Sequence, residues 1–308
     1  MMTTYLDVIT GFLGAGKTTF LERYTHHLRE TGVSFCIIEN EFGRAGVDGA
    51  QLRQSGASVR ELSGGCVCCA LKVPLHALIE ELTGKVDRIL LEPSGLFCGD
   101  DLMDILNTPG CRVRPGMWLG ILDPIALDAM NEEDLAVLAS EFMHAGCVLI
   151  SKSQLCAEDT LQTARQMLAS LLPSPAPHVF CGNWDDLLTP DVFADLQSAG
   201  VIHRDHERRL FDHASMFSST TIVFSEPFIY DGACAVLHAL LNAKNGHVLR
   251  VKGVLTACGD GIFRINGTPG CESVRYEETQ ERAVLNIIGR NLNRACLRAS
   301  LEEAYEQQ

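Results

Sequence analysis

The chain is short of positive charge: 25 Lys and Arg stand against 39 Asp and Glu, a formal net charge of −14 over 308 residues. That balance excludes non-specific binding to nucleic acid or anionic membranes, which depends on clustered cations. It is compatible with collecting cations. No uncharged apolar run approaches the ~20 residues of a membrane span. The start, MMTTYLDVITGFLG, carries no Lys or Arg ahead of its apolar run, so no signal or transit peptide is expected. Internal repeats and long low-complexity tracts are absent too, which excludes solenoids and disordered arrays. The 13 cysteines are scattered and odd in number, which fits free thiols in a reducing cytoplasm better than a disulfide framework. Ten of them, Cys36, Cys98, Cys111, Cys147, Cys156, Cys181, Cys234, Cys258, Cys271 and Cys296, read as small buried hydrophobes.

What is present is 46% apolar residues, ample for a core and, because single cores stop growing near ~250–300 residues, for two domains. Short apolar runs alternate with periodic segments. Strands are expected at Tyr5–Ile9, Phe35–Ile38, Arg88–Leu91, Met117–Leu122 and Cys147–Ile150. Helices are expected at Lys17–Glu30, Leu75–Leu82, Glu132–Met143 and Glu158–Leu172. This alternation predicts an α/β fold, a mostly parallel sheet with helices on both faces. The pattern changes after PSPAP (Pro173–Pro177) and the charged stretch His203–Arg209. Then come a strand at Thr220–Phe224, a helix at Cys234–Leu241 and strands at Val248–Leu255, Gly261–Ile265 and Glu272–Tyr276. A smaller C-terminal α+β domain is expected, with domains spanning 1–212 and 213–308.

Gly11-Phe-Leu-Gly14-Ala15-Gly16-Lys17-Thr18-Thr19 matches G-x-x-x-x-G-K-[ST] between an expected strand and an expected helix. That setting suits a phosphate cradle: backbone N–H groups and a helix N-terminus supply positive charge, Lys17 reaches the outer phosphates, and the Thr18 hydroxyl meets Mg²⁺. Arg88–Gly95, RILLEPSG, ends an apolar strand in Glu92 and places Gly95 three residues later. Glu92 would hold a magnesium-bound water, and the Gly95 N–H would meet a γ-phosphate. Glu39 and Glu41, in ENEFG after the second strand, stand where parallel sheets bind ligands, and either could orient the attacking water or touch metal.

Together GFLGAGKTT, ENEFG, GGCVCC and LLEPSGL, in this order, resemble the CobW-like metallochaperone GTPases, relatives of the urease and hydrogenase nickel chaperones. The likeness is strong over residues 5–155 and weaker at Arg250-Val-Lys252-Gly253. It implies GTP hydrolysis, GTP and GDP as ligands, a thiol metal site between the switch segments, and handling of zinc or cobalt. It further implies a client metalloprotein or cofactor-synthesis enzyme, and leaves room for a homodimer. Where the family carries [NS]-K-x-D, the chain reads Ser151-Lys152-Ser153-Gln154. A carboxamide in place of the guanine-binding carboxylate gives up charge-assisted hydrogen bonds worth ~1.5–3 kcal/mol, a loss of roughly 10–150-fold in guanine preference.

Cys66-Val67-Cys68-Cys69 puts three thiols within four residues, with no fourth local ligand. A Cys68–Cys69 bridge would be strained, because neighbouring Cα atoms lie ~3.8 Å apart against ~4.4 Å for the tightest ordinary disulfides. A redox pair, a structural role and a closed zinc site are the other readings. An open three-thiolate shell for Zn²⁺ or Co²⁺ accounts for the missing ligand best, since a receiver can attack it. The alternatives at the level of function are a nucleotide-binding metal buffer or sensor with little turnover, a relaxed-specificity NTPase, and a small-molecule kinase. His203, His206 and His213 read as a solvated linker rather than a metal cluster, and His26 and His27 as helix-surface residues.

Overall fold

The computed structural model describes residues 2–40, 58–62, 72–93, 98–204 and 217–305, and these divide between two compact units on either side of residues 205–216. Glu41, Cys66, Cys68, Cys69, Gly95, His206 and His213 lie outside the described residues.

The first unit is built on seven strands: β1 (Tyr5–Thr10), β2 (Phe35–Asn40), β3 (Val59–Leu62), β4 (Arg88–Glu92), β5 (Arg114–Leu122), β6 (Cys147–Ile150) and β7 (His178–Cys181). Their order is β3-β2-β4-β1-β5-β6-β7, and each neighbouring pair is parallel. The helices are α1 (Lys17–Glu30), α2 (Lys72–Leu82), α3 (Gly99–Leu106), α4 (Pro124–Leu127), α5 (Glu132–Phe142), α6 (Glu158–Leu171), α7 (Trp184–Leu187) and α8 (Pro190–Ala199). The central strands are apolar runs because helices cover both faces of the sheet. In β4 Ile89, Leu90 and Leu91 are all buried. Helix α1 buries Phe20, Leu21, Tyr24 and Leu28, the i, i+1, i+4, i+8 stripe of a helix lying on a sheet. Helix α5 starts at a capping box formed by Asn131 and Asp134.

One charge sits in the middle of this core. Asp7 in β1 is fully buried and stays tolerable because it is saturated. Arg88 Nη1 donates to both its oxygens at 2.7 Å, the Tyr24 hydroxyl donates at 2.8 Å and the Met117 N–H at 2.8 Å.

The sheet gains one more strand and a helix that the sequence pattern did not announce. β7 and α8 follow PSPAP yet complete the first unit, β7 being the partner of β6. β7 is a short edge strand with exposed and half-buried residues, so its sequence carries little strand signal. β3, equally short, pairs β2 at the opposite edge. Nor is the charged stretch solvated throughout: Arg204 is 4% exposed, although His203 beside it is exposed. The thiols also depart from expectation. Cys36, Cys98 and Cys147 are buried, Cys258 is exposed and the other six are half-buried, because they sit on helix flanks, edge strands and turns.

The second unit is an antiparallel sheet of β8 (Ser218–Val223), β9 (His247–Thr256), β10 (Ile262–Thr268), β11 (Cys271–Glu277) and β12 (Val284–Arg290), ordered β11-β10-β9-β12-β8. Helices α9 (Tyr230–Leu240) and α10 (Arg294–Tyr305) share one core with it through Val236, Leu237, Val251, Leu285, Ile287 and Leu297.

Candidate nucleotide and metal site

Because the first sheet is parallel, the C-terminal ends of β1, β2, β4, β5 and β6 share one edge, where open α/β sheets bind ligands. Thr10 ends β1, and the loop Gly11–Gly16 leads into α1 at Lys17. Gly11 has φ 148°, and a Cβ there would strike the Ile121 carbonyl oxygen of β5. Gly16 caps α1 with φ 106°, a left-handed conformation that glycine alone adopts cheaply. The first turn of α1 holds no acidic residue, so the partial positive charge of the helix N-terminus is left for an anion. Lys17 is buried, its Nζ arching back to donate to the carbonyls of Gly11 at 2.6 Å and Phe12 at 3.3 Å. Thr18 is half-buried beside it, Thr19 is exposed, Ala15 is buried and Gly14 half-buried.

Two carboxylates face this loop from neighbouring strands. Glu39 of β2 and Glu92 of β4 are register partners, 3% and 7% exposed. The Thr18 hydroxyl lies 3.4 Å from Glu92 Oε1. One hydroxyl and two carboxylates are hard oxygen donors, a set that suits Mg²⁺ and not a soft metal. The residues present therefore fit a magnesium ion held between nucleotide and sheet.

The other side of the edge carries the base-recognition candidates. Ser151 is buried, and its N–H donates to Leu122 O at 2.9 Å. Lys152 takes a left-handed φ of 52° and sends Nζ to Asp123 Oδ2 at 2.5 Å. Asp123 in turn caps α4 by accepting from the Ile125 N–H at 3.0 Å. Gln154 is exposed in a short 3₁₀ turn, Ser153–Leu155, and the Ser153 hydroxyl donates to Gly182 O at 2.6 Å. Behind them Trp184 donates Nε1–H to Ile150 O at 3.0 Å and packs edge-on against Phe20 of α1.

The structure thus brings together Gly11, Gly14, Ala15, Gly16, Lys17, Thr18, Glu39 and Glu92 at one sheet edge, with Ser151, Lys152 and Gln154 after β6 on that edge. Asp123 and Trp184 escaped the sequence reading. Asp123 had a usable signal, a carboxylate directly after an apolar strand; Trp184 had none. His26 is exposed on α1 as expected, whereas His27 stacks on Phe193 with centroids 4.6 Å apart.

Among proteins of known family, the CobW/HypB/UreG nucleotide-binding domain matches residues 5–178, and the C-terminal domain of the cobalamin synthesis protein CobW matches residues 217–305. The zinc chaperone YeiR of Escherichia coli is 41% identical over 171 residues, 53% of this chain and 51% of the relative, so that alignment spans about half of YeiR. The zinc-regulated GTPase metalloprotein activator 1 of Saccharomyces cerevisiae is 35% identical over 363 aligned positions, covering 98% of this chain and 83% of the relative. The crystal structure of the Zn(II)-bound YjiA GTPase from E. coli aligns at 18% identity and a TM-score of 0.41, covering 99% of each chain. A P-loop domain and a following antiparallel-sheet domain, matched one after the other along the chain, place it in the CobW/HypB/UreG family.

Proposed function

We propose that this protein is a GTP hydrolase whose cycle controls custody of a transition metal, zinc or cobalt, that it delivers to a client metalloprotein or cofactor-synthesis enzyme. The observation that carries the reading is the shared sheet edge. There a phosphate loop with an uncompensated helix N-terminus faces two buried, register-paired carboxylates beside Thr18. The names of YeiR and of the yeast activator, a zinc chaperone and a zinc-regulated GTPase, support the metal half.

In this reading Lys17 leaves the carbonyls of Gly11 and Phe12 for the β- and γ-phosphate oxygens. The loop N–H groups of Gly14 to Thr19 hold the remaining phosphate charge. Thr18 and Glu92 hold Mg²⁺, which spreads the charge of the transferring phosphoryl group. Glu39 or Glu41 orients a water that adds to the γ-phosphorus as the bridging oxygen departs with GDP. The Gly95 N–H senses the γ-phosphate, and Ser151, Lys152 and Gln154 meet the base. Cys66, Cys68 and Cys69 hold the cargo ion as thiolates, with one position open to the receiver. They lie in the chain between Glu41 and Glu92, so the ion's affinity differs between the GTP and GDP states, and by linkage the ion changes nucleotide affinity by the same factor.

The test is an anaerobic zinc and cobalt titration of the wild type and Cys66→Ser, with GDP and with a non-hydrolysable GTP analogue, together with phosphate release with and without metal. Metal affinity that depends on the nucleotide, lost in Cys66→Ser, is expected. Equal affinity in both nucleotide states would remove the coupling, and negligible phosphate release would leave a metal buffer or sensor.

A further inference from the structure

Away from the nucleotide edge, His76 and Glu80 stand one turn apart on α2, and Cys111 lies beside them in the turn after α3. Their ligand atoms, an imidazole nitrogen, a carboxylate oxygen and a thiol sulfur, all lie within 4.8 Å of one another. We propose that these three residues form a second metal site, for a borderline divalent cation such as Zn²⁺ or Co²⁺.

Three features set the cluster apart from a chance meeting of surface groups. First, one imidazole nitrogen is not otherwise satisfied: His76 Nε2 is buried and has no hydrogen-bond partner among the described residues. A buried ring nitrogen without a partner carries a desolvation cost that a cation would relieve. Second, the ligands are held in advance. Leu75 and Ile79 are fully buried and anchor α2 beside His76 and Glu80. Lys72, at the start of α2, pairs with Asp101 at 2.7 Å and Asp104 at 3.4 Å on α3, tying the two helices together. The turn that carries Cys111 is closed by its N–H donating to Thr108 O at 3.0 Å. Glu80 is steered by the Arg112 N–H at 3.2 Å and by the Arg112 guanidinium at 3.5 Å. These are outer-shell contacts that leave carboxylate lone pairs for an ion. Third, the charges close: on binding, the Cys111 thiol releases its proton to solvent, and thiolate plus carboxylate neutralise a divalent cation.

The mixed N, O and S set selects Zn²⁺ or Co²⁺ over Mg²⁺, which lacks affinity for sulfur, and over Cu⁺, which prefers an all-sulfur shell. All three residues are half-exposed. A tetrahedral ion would therefore keep its fourth position for water or for a ligand from another protein. The site also lies close in sequence to the cysteine run: α2 begins three residues after Cys69 and His76 follows seven residues after it. A chain of that length spans at most ~25 Å. One short segment thus carries the cysteine run and two of the three ligands of the second site.

The experiment removes the first station so that the second reads alone. A variant carrying Cys66→Ser, Cys68→Ser and Cys69→Ser is titrated anaerobically with Co²⁺ and with Zn²⁺, without nucleotide. One equivalent is expected to bind, and with Co²⁺ it should show the near-ultraviolet charge-transfer band of a single thiolate. Adding Cys111→Ser should abolish that band and weaken binding by about tenfold or more, whereas adding His76→Gln should weaken binding similarly and keep the band. If Cys111→Ser fails to fold, as judged by its melting transition, His76→Gln and Glu80→Gln decide the matter by affinity alone. The proposal is overturned if the starting variant binds no metal, or if it binds one equivalent that these substitutions leave unchanged. Because no nucleotide is present and the cysteine run is gone, failure here is distinct from failure of the proposed GTP-linked delivery.

Discussion

Glu39 and Glu92 sit side by side, register partners on the adjacent parallel strands β2 and β4, both buried at the edge where the phosphate loop begins. At a strand spacing of ~4.8 Å, two like charges repel by about 3 kcal/mol at an effective dielectric of 20. A divalent cation placed between the two carboxylates would convert such repulsion into binding. Neutralising either member should therefore stabilise the free protein and weaken its response to ligand. Glu39→Gln and Glu92→Gln are each expected to raise the melting temperature without ligand, and to shrink the further rise produced by Mg²⁺ with GDP. Thermal denaturation of both variants with and without Mg²⁺ and GDP checks this, and a lowered melting temperature of the free protein in both variants would show that the carboxylates serve structure instead.

The wall behind the loop gives a second contrast. A Cβ added at Gly16 would stand 3.3 Å from Trp184 Cη2, and Gly16 has φ 106°. Gly16→Ala thus combines a left-handed strain of ~1–2 kcal/mol with pressure on the indole, and moves the N–H groups that would hold phosphate. Its main effect should be loss of binding, at least tenfold for a fluorescent GDP analogue. Trp184→Ala instead opens a cavity between α1 and β6, at a cost of ~3–5 kcal/mol. Urea denaturation and nucleotide titration of the two variants should separate these effects.

Those two residue pairs also mark what the sequence could and could not disclose. The phosphate loop, Glu39 and Glu92 were legible because a strand end, a glycine pattern and a carboxylate are local signals. So were the central strands, whose apolar runs follow from burial on both faces. Trp184 was not legible: its place against Gly16 depends on β7 and α7 following β6 across the sheet, a long-range fact. β7 itself, with its exposed and half-buried residues, has the weak pattern of an edge strand. β12, with its apolar VLNIIG run, and the last helix, α10, went unread although their periodicity was available. The pairing of Cys111 with a helix some thirty residues earlier is likewise tertiary, and nothing in the spacing of single cysteines announces it.

In the proposed cycle Gln154 meets the base. It is exposed, two residues beyond Lys152, whose Nζ meets Asp123. Restoring a carboxylate with Gln154→Asp should raise the preference for GDP over ADP by roughly 10–150-fold, the value of charge-assisted hydrogen bonds of ~1.5–3 kcal/mol to a guanine edge. Competition binding of the two diphosphates gives the ratio directly. An unchanged ratio would show that position 154 does not contact the base.

Tyr24 ties stability to alkaline pH. Burial, and next the charge of Asp7, push its phenol well above the usual value of 10. Its hydroxyl donates to Asp7 Oδ2 at 2.8 Å, a bond that ionisation destroys. The folded protein thus holds this proton more tightly than the unfolded chain. The contribution is complete below the unfolded value near 10 and is lost as pH rises from there through the folded value. Above pH 10 the wild type should lose stability more steeply than Tyr24→Phe, as read by urea denaturation across pH 8 to 11. Parallel curves would show that Tyr24 does not carry the effect.

Arg204 shows how a residue from a charged stretch can act as a rivet. Its guanidinium donates to five main-chain carbonyls, those of Pro173 at 3.1 Å, Pro175 at 2.7 Å, Phe142 at 3.4 Å, Met143 at 2.6 Å and Ala145 at 3.0 Å. Phe142 and Met143 end helix α5, so the cation also meets the negative end of the helix dipole. Burial pushes the guanidinium below its ordinary value, yet the group stays charged because that value lies so far above neutrality. Arg204→Ala would strand several buried acceptors at ~1–3 kcal/mol each, a total loss above about 3 kcal/mol. Arg204→Lys should recover only part of it, since a single ammonium cannot span the planar fork that reaches two loops and a helix end. Chemical denaturation of the three proteins should rank them Arg, Lys, Ala. If Lys matched Arg, charge at the helix terminus, and not the geometry of the fork, would be what holds this corner of the sheet.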